Sequence, residues 1–139
     1  VDRNERKIVA TWKLGDAQDN FPMALNEKDK RLFVGCRTPG EVLILDTGSG
    51  EVVGRVPSVS HADDMWYDAG NKRVYVSGGG GFITVVGQQD ANHYRRIAQI
   101  KTLPGARTSC LVPQLKRLYL GVWSSGAQPE ELQVYEVLR

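Results

Sequence analysis

One six-residue phrase is written three times in this chain: Lys30-Arg31-Leu32-Phe33-Val34-Gly35, Lys72-Arg73-Val74-Tyr75-Val76-Ser77 and Lys116-Arg117-Leu118-Tyr119-Leu120-Gly121. Arg31 and Arg73 lie 42 residues apart, Arg73 and Arg117 44. Each phrase has an aliphatic-aromatic-aliphatic core and follows a polar turn, which predicts a strand. Side chains alternate along a strand. Leu32, Val34 and Cys36 therefore project one way, with Phe33 and Gly35 the other. Both faces are apolar, so each sheet has to be covered on both sides.

The copies extend well beyond the phrase. The first unit reads as four strands, Phe21–Leu25, Arg31–Cys36, Val42–Leu45 and Glu51–Val56, joined by three tight turns. Asn26 and Asp29 in the first of these turns have side chains able to bond to their own backbone. The second unit repeats the plan with Asp64–Asp68, Arg73–Ser77, Phe82–Val86 and Arg96–Lys101. The third supplies Ser109–Val112, Arg117–Trp123 and, after a longer loop from Ser124 to Glu131, Leu132–Val137; no fourth strand comes before Arg139. Ile8–Leu14 resembles the closing strands around Val53–Val56 and Ile97–Ile100, so it reads as a fourth strand with no sheet before it. Short strands at this period are how β-propeller blades appear in sequence. The expected fold is all-β: three four-stranded antiparallel meanders in a single module, residues 1–139. Blade 1 covers about 21–56, blade 2 about 63–101 and blade 3 about 108–137, completed by strand 8–14 in trans.

The strand of a basic residue, an aliphatic residue, Tyr and Val after a polar turn resembles the YVTN-type β-propeller repeat of bacterial proteins. So does the aliphatic strand Val42-Leu43-Ile44-Leu45 ending in Asp46-Thr47 before a glycine-containing turn. The resemblance covers nearly the whole chain. Gly87 and Glu136 stand where Asp46 does, so that aspartate is not required in every blade. The resemblance implies a propeller fold and export to the periplasm or the cell exterior.

Three blades do not close a ring, since rings carry about 4–8. The surplus strand at the start and the absent strand at the end are complementary. Two arrangements answer this: a second copy of the chain completing a six-bladed ring, or further blades of a larger propeller. Val1 in place of a Met or signal peptide reads as processing or trimming. The 18 basic and 16 acidic side chains are mixed, with a formal charge of +2, so neither nucleic acid nor a membrane surface is an implied partner. No apolar run is long enough to insert into a bilayer. Cys36 and Cys110 fall in different repeats and read as two buried thiols.

Alternate turns of a meander lie on opposite faces. The connections into each blade therefore share one face with the hairpins between second and third strands, near the axis. That axial face gathers Asp19, Asn20 and Phe21, then His61, Asp63 and Asp64, then Arg107 and Thr108, with Arg37 and the glycine run 78–81 further out. His61, Asp63 and Asp64 are candidate ligands for a divalent cation or candidate acid–base groups. They also read as a polar loop accepting backbone amides. Asp19, Asn20 and Arg107 join them as a polar ring suited to a small anionic or zwitterionic ligand.

Asp46-Thr47-Gly48 looks like the loop of aspartic proteases, whose paired carboxylates share a proton. The apolar-glycine strand those enzymes need is absent except for Val52-Val53-Gly54 close behind. Gly78–Gly81 has no following helix to cradle a phosphate and reads as a hairpin. Trp12, Trp66 and Trp123 read as packing residues, and His93 as solvated on the far face. Two functions stand: a non-catalytic scaffold that binds a protein or small ligand at the axial face, without a cofactor, or a propeller enzyme or cofactor-bearing subunit using the carboxylates and His61.

Overall fold

The three phrases are the second strands of three sheets. The computed structural model describes residues 4–124, 126 and 129–138. Blade 1 contains β1 (Gln18–Asn26), β2 (Arg31–Thr38), β3 (Gly40–Asp46) and β4 (Val52–Pro57). Blade 2 contains β5 (Ala62–Asp68), β6 (Arg73–Gly78), β7 (Phe82–Gln88) and β8 (Tyr94–Lys101). Blade 3 contains β9 (Thr108–Val112), β10 (Arg117–Val122) and β11 (Glu131–Glu136). Blades 1 and 2 are four-stranded antiparallel meanders in chain order, and blade 3 has three strands among the described residues. The loop expected from Ser124 to Glu131 falls partly, and Arg139 wholly, outside the described residues.

Turn chemistry explains the polar ends of the phrase. Asn26 Oδ1 accepts the Asp29 N–H, and Asp68 Oδ1 accepts those of Gly70 and Asn71. The lysine that opens each phrase closes this turn in the left-handed region: Lys30, Lys72 and Lys116 have φ of 54°, 52° and 50°. That conformation costs a residue with a Cβ on the order of 1 kcal/mol. Its threefold recurrence shows that one turn geometry is reused, in blade 3 after a short 3₁₀ turn at Pro113–Leu115.

Packing follows the alternation along each strand. Phe33, Val42 and Ile44 leave blade 1 toward blade 2 and meet Met65, Val74, Val76 and Val86. Tyr75, Ile83 and Val85 leave the other face of blade 2 and meet Leu111, Leu118, Leu120 and Val122 of blade 3. Each blade is thus one slice of a continuous apolar stack. A third cluster, Val34, Cys36, Leu43 and Leu45, lies on the outer face of blade 1.

Two expectations are corrected. Ile8–Leu14, expected as a strand, has no strand assignment and no strand partner in the structure. Its Val9, Trp12 and Leu14 lie along the outer face of blade 1 with Met23, Val34 and Leu45. Within one chain blade 2 stands between this segment and blade 3, and the expected pairing was in trans. Cys36 is a buried thiol as expected, whereas Cys110 is exposed on the outer face of blade 3.

Candidate ligand-binding site at the axial face

The connectors β4–β5 and β8–β9 share one face of the stack with the hairpins β2–β3 and β6–β7. Two devices shape it. Asp19, at the start of β1, and His61, just before β5, each turn the chain at a φ of 52°, and Gly105 at 87°. A register shift then follows between Asn20 and Met23 in β1 and between Ala62 and Asp64 in β5. Such bulges re-aim side chains. They bring Asp63 into the seam between blades and leave Phe21 on the surface, 59% exposed.

Asp63 is the hub. One carboxylate oxygen accepts from Arg37 Nη2 at 2.7 Å, and the other lies 3.5 Å from Arg107 Nε. One aspartate therefore ties β2 of blade 1 to the start of blade 3. Arg37 also donates from Nε to the Ala62 carbonyl at 3.0 Å, and its guanidinium lies 4.2 Å from the centre of the Phe21 ring. Flat, delocalised and weakly hydrated, an arginine suits that combined role. The sequence placed Arg37 only at the rim; the structure makes it the main partner of Asp63.

Asp64, next in sequence, points to a different partner and accepts the Ser109 N–H at 2.6 Å. Ser109 Oγ in turn accepts from Trp66 Nε1 at 3.1 Å and lies 2.8 Å from Ser77 Oγ. This chain of bonds locks blade 2 to blade 3. Asp19 accepts from the Thr38 hydroxyl at 3.1 Å, while Asn20 is exposed beside it. His61 is exposed, with its carbonyl accepting the Gly79 N–H at 2.9 Å.

The expected cation ligands are therefore separated. His61, Asp63 and Asp64 do not converge, and no group of three His, Cys, Asp or Glu side chains suited to a metal exists among the described residues. The bulge is the cause: Asp63 has no strand partner and turns to Arg37 and Arg107, while Asp64 stays in register opposite Ser77 and reaches Ser109. Of the expected ring, the structure joins Asp63 to Arg107 and sets His61 beside Arg107 across Gly79, while Asp19 pairs with Thr38. Arg107 remains half exposed, at 52%. It lines an open cavity of about 590 Å³ with Gly105, Thr108, Trp123, Glu130 and Glu131. A cation beside an exposed indole can hold a carboxylate or other small anion, on the side of the cavity away from Glu130 and Glu131.

The aspartate of the Asp-Thr-Gly stretch is fully occupied by its own turn. Asp46 Oδ1 accepts the Ser49 and Gly48 N–H groups, and Oδ2 accepts from Arg31 at 2.6 Å. The Ser49 and Gly48 amides hold its carboxyl below the usual range. This is an Asx turn braced by an ion pair, not two carboxylates sharing a proton. Gly78–Gly81 is a hairpin between β6 and β7, as expected.

The far face carries a network that sequence reading missed. Asn26 Nδ2 donates to Tyr67 Oη at 2.9 Å and to Asp29 Oδ2 at 3.0 Å. The Tyr67 hydroxyl donates to Gln88 Oε1 at 2.7 Å, and Gln88 Nε2 donates to Asp29 at 2.7 Å. These bonds, from Gln88 first and then Asn26, hold the Asp29 carboxyl below its ordinary value. The one signal available was Asn26, a polar residue repeating an inward position.

No family model matches the chain, and no curated protein sequence is similar to it. Solved structures are similar in fold. Hydrazine synthase from Kuenenia stuttgartiensis superposes with a TM-score of 0.71 at 19% identity, covering 94% of this chain and 36% of that one. A chain of the mitotic checkpoint complex gives 0.73 at 14% identity, covering 89% and 38%. The Cps50 (Swd1) β-propeller domain of Myceliophteria thermophila gives 0.52 at 12%, covering 84% and 43%. The chain thus spans well under half the length of these structures. Radial blades joined face to face make this chain three blades of a β-propeller.

Proposed function

We propose that the chain is a non-catalytic propeller scaffold whose axial face binds a protein or small ligand carrying a negative charge. The observation that carries this reading is the division of labour around Asp63. Arg37 satisfies that carboxylate at 2.7 Å, so Arg107, more distant at 3.5 Å and half exposed, keeps donors for a ligand beside Trp123. The carboxylates here are engaged in holding blades, which argues against the acid–base role. A second copy of the chain, or further blades, covers the outer faces of blades 1 and 3. The YVTN-type resemblance supports a periplasmic or secreted location.

Titration calorimetry with citrate and with a tetraglutamate peptide tests the reading. Binding of either probe that weakens at least about tenfold in Arg107→Ala supports it, a loss expected for a charge-assisted contact. The competing reading, a metal- or cofactor-bearing enzyme subunit, is tested by metal analysis of the purified protein. Stoichiometric metal that disappears in the Asp63→Ala/Asp64→Ala variant would replace the scaffold reading.

A further inference from the structure

One position of the axial face changes character from blade to blade. Counted from the arginine that opens each second strand, the sixth residue on is Arg37 in blade 1, Gly79 in blade 2 and Trp123 in blade 3. A matching position lies across each seam, on the linker entering the next blade. Asp64 stands opposite Ser77 and Thr108 opposite Gly121, so Asp63 and Arg107, one residue earlier in each linker, correspond. In the seam between blades 1 and 2 the two positions hold Arg37 and Asp63, joined at 2.7 Å. In the seam between blades 2 and 3 they hold Gly79 and Arg107. The cation has changed sides, and no carboxylate of that seam stands opposite it. Asp63 reaches Arg107 Nε only at 3.5 Å and is already held by Arg37. Arg107, half exposed, thus keeps its Nη donors for another acceptor.

Gly79 leaves a notch beside that arginine. A Cβ placed there would lie 3.4 Å from His61 Cβ, 3.8 Å from Arg107 Cδ and 3.9 Å from Gly105 Cα, so these three residues wall one small space. Its walls all come from residues 61–107, inside the run of three blades. Those separations are ordinary van der Waals contacts, so packing does not demand a glycine at this position. The rest of the run differs. A Cβ at Gly78 or Gly80 would collide with Ser60, and Gly81 turns the chain at a φ of 83°. The Gly79 backbone is pinned on both sides, its N–H donating to the His61 carbonyl at 2.9 Å and its carbonyl accepting from Gly105 at 2.8 Å. A rigid floor without a side chain, walled by a cation lacking its own counter-charge, has the shape and the sign of a receptor for a small acidic group.

We propose that this notch takes the carboxylate of a ligand, which stands opposite Arg107 as Asp63 stands opposite Arg37. The proposal rests on the axial-face reading above and deepens it by naming the acidic group and its seat. A carboxylate matches the guanidinium fork with two parallel N–H···O bonds. Asp63 on one side, with Glu130 and Glu131 across the neighbouring cavity, favours this singly charged group over a phosphate dianion, since like charges brought together cost binding energy. His61 places an imidazole at the opposite wall. The carboxylate belongs to a small molecule or to an acidic side chain of a partner protein, and two probes separate these sources.

The test builds the absent carboxylate into the chain. Gly79→Asp recreates across the second seam the pairing that Arg37 and Asp63 make across the first, and so fills the notch from within. Citrate, the tetraglutamate peptide and inorganic phosphate are titrated against the unaltered chain, Arg107→Ala and Gly79→Asp, with a thermal midpoint for each protein. Gly79→Asp is expected to weaken whichever carboxylate probe binds at least about tenfold, as Arg107→Ala does, without lowering the midpoint. Citrate alone assigns a small molecule and the peptide alone an acidic protein segment; either supports the carboxylate. Phosphate binding as tightly as both overturns the ligand class. A loss in Arg107→Ala but not in Gly79→Asp overturns the notch and leaves the axial-face reading standing. No binding of either carboxylate, or binding indifferent to Arg107, overturns both. Should Gly79→Asp fail to fold, Gly79→Ala, whose methyl group meets only ordinary contacts, takes its place. Amide resonances of the unaltered chain then give a second readout: His61, Gly79, Gly105 and Arg107 are expected to shift most as the probe is added. Largest shifts elsewhere overturn the proposal.

Discussion

The seam between blades 1 and 2 and the seam between blades 2 and 3 are built from the same strands in the same register, yet they are closed differently. Their middles are alike: Phe33, Val42 and Ile44 in one, Tyr75, Ile83 and Val85 in the other, each against aliphatic partners. Their ends are not. The first seam is closed by charge at Arg37–Asp63 and by the Asn26–Tyr67–Gln88–Asp29 network. The second is closed at the axial end by Trp66, Ser77, Ser109 and Asp64, and at the other by buried Leu111 and Val137 with Arg73 donating to the Leu138 carbonyl. The middles hold blades together without choosing among them. The ends decide which blade follows which.

That division can be broken most forcefully in the middle. Ile44→Ala and Leu120→Ala, one in each seam and both fully buried, should each cost about 3 kcal/mol in chemical denaturation. Near-equal losses support interchangeable middles, and a twofold difference would contradict them. Next comes Asn26→Ala, which strands Tyr67, Gln88 and Asp29 in a buried site and should cost about 2 kcal/mol. A cost no larger than that of a surface substitution would mean the network is incidental. Asp63→Ala should cost about 1 kcal/mol, because the ion pair is partly solvated. Its loss should be smaller at high salt, and a salt-independent cost would point away from charge.

The smallest effect is in pH. The Asp29 carboxyl is held below its ordinary value of 3.8 by Gln88 and Asn26. A depressed folded value means the contribution is complete above the unfolded value and is lost as pH falls through the folded one. The first seam should therefore loosen on acidification below about pH 4, the unfolded carboxylate range. Thermal midpoints of Asp29→Asn should fall less steeply over that range than those of the unaltered chain. Parallel acid limbs would remove Asp29 from the account.

Much of the fold was legible because its signals are local. Alternation in Leu32–Cys36, the Asn26 and Asp68 turns and the period of the Lys-Arg phrase all act within a few residues. Ile8–Leu14 was expected to pair in trans and has no strand partner within the chain: a strand is defined by its partner, and sequence shows only the half that is written down. The site was less legible. Adjacency of Asp63 and Asp64 looked like a shared purpose, but the bulge in β5 sends them to Arg37 and to Ser109. Arg37 gave no warning, since its partner lies 26 residues away. Cys110 was expected inside because strand faces were assumed covered, and in this chain the last face is bare.

The hairpin at Gly78–Gly81 is thin for a reason. A Cβ at Gly78 would sit 2.7 Å from the Ser60 carbonyl oxygen, and one at Gly80 2.5 Å from Ser60 Oγ. The Gly79 carbonyl accepts the Gly105 N–H at 2.8 Å on its other side. The hairpin is thus a shim fitted between the linkers entering two successive blades, and thickening it by one methyl would push those linkers apart. The wedge angle between neighbouring blades, and with it the number that fit around a circle, is tuned here by what the side chains omit.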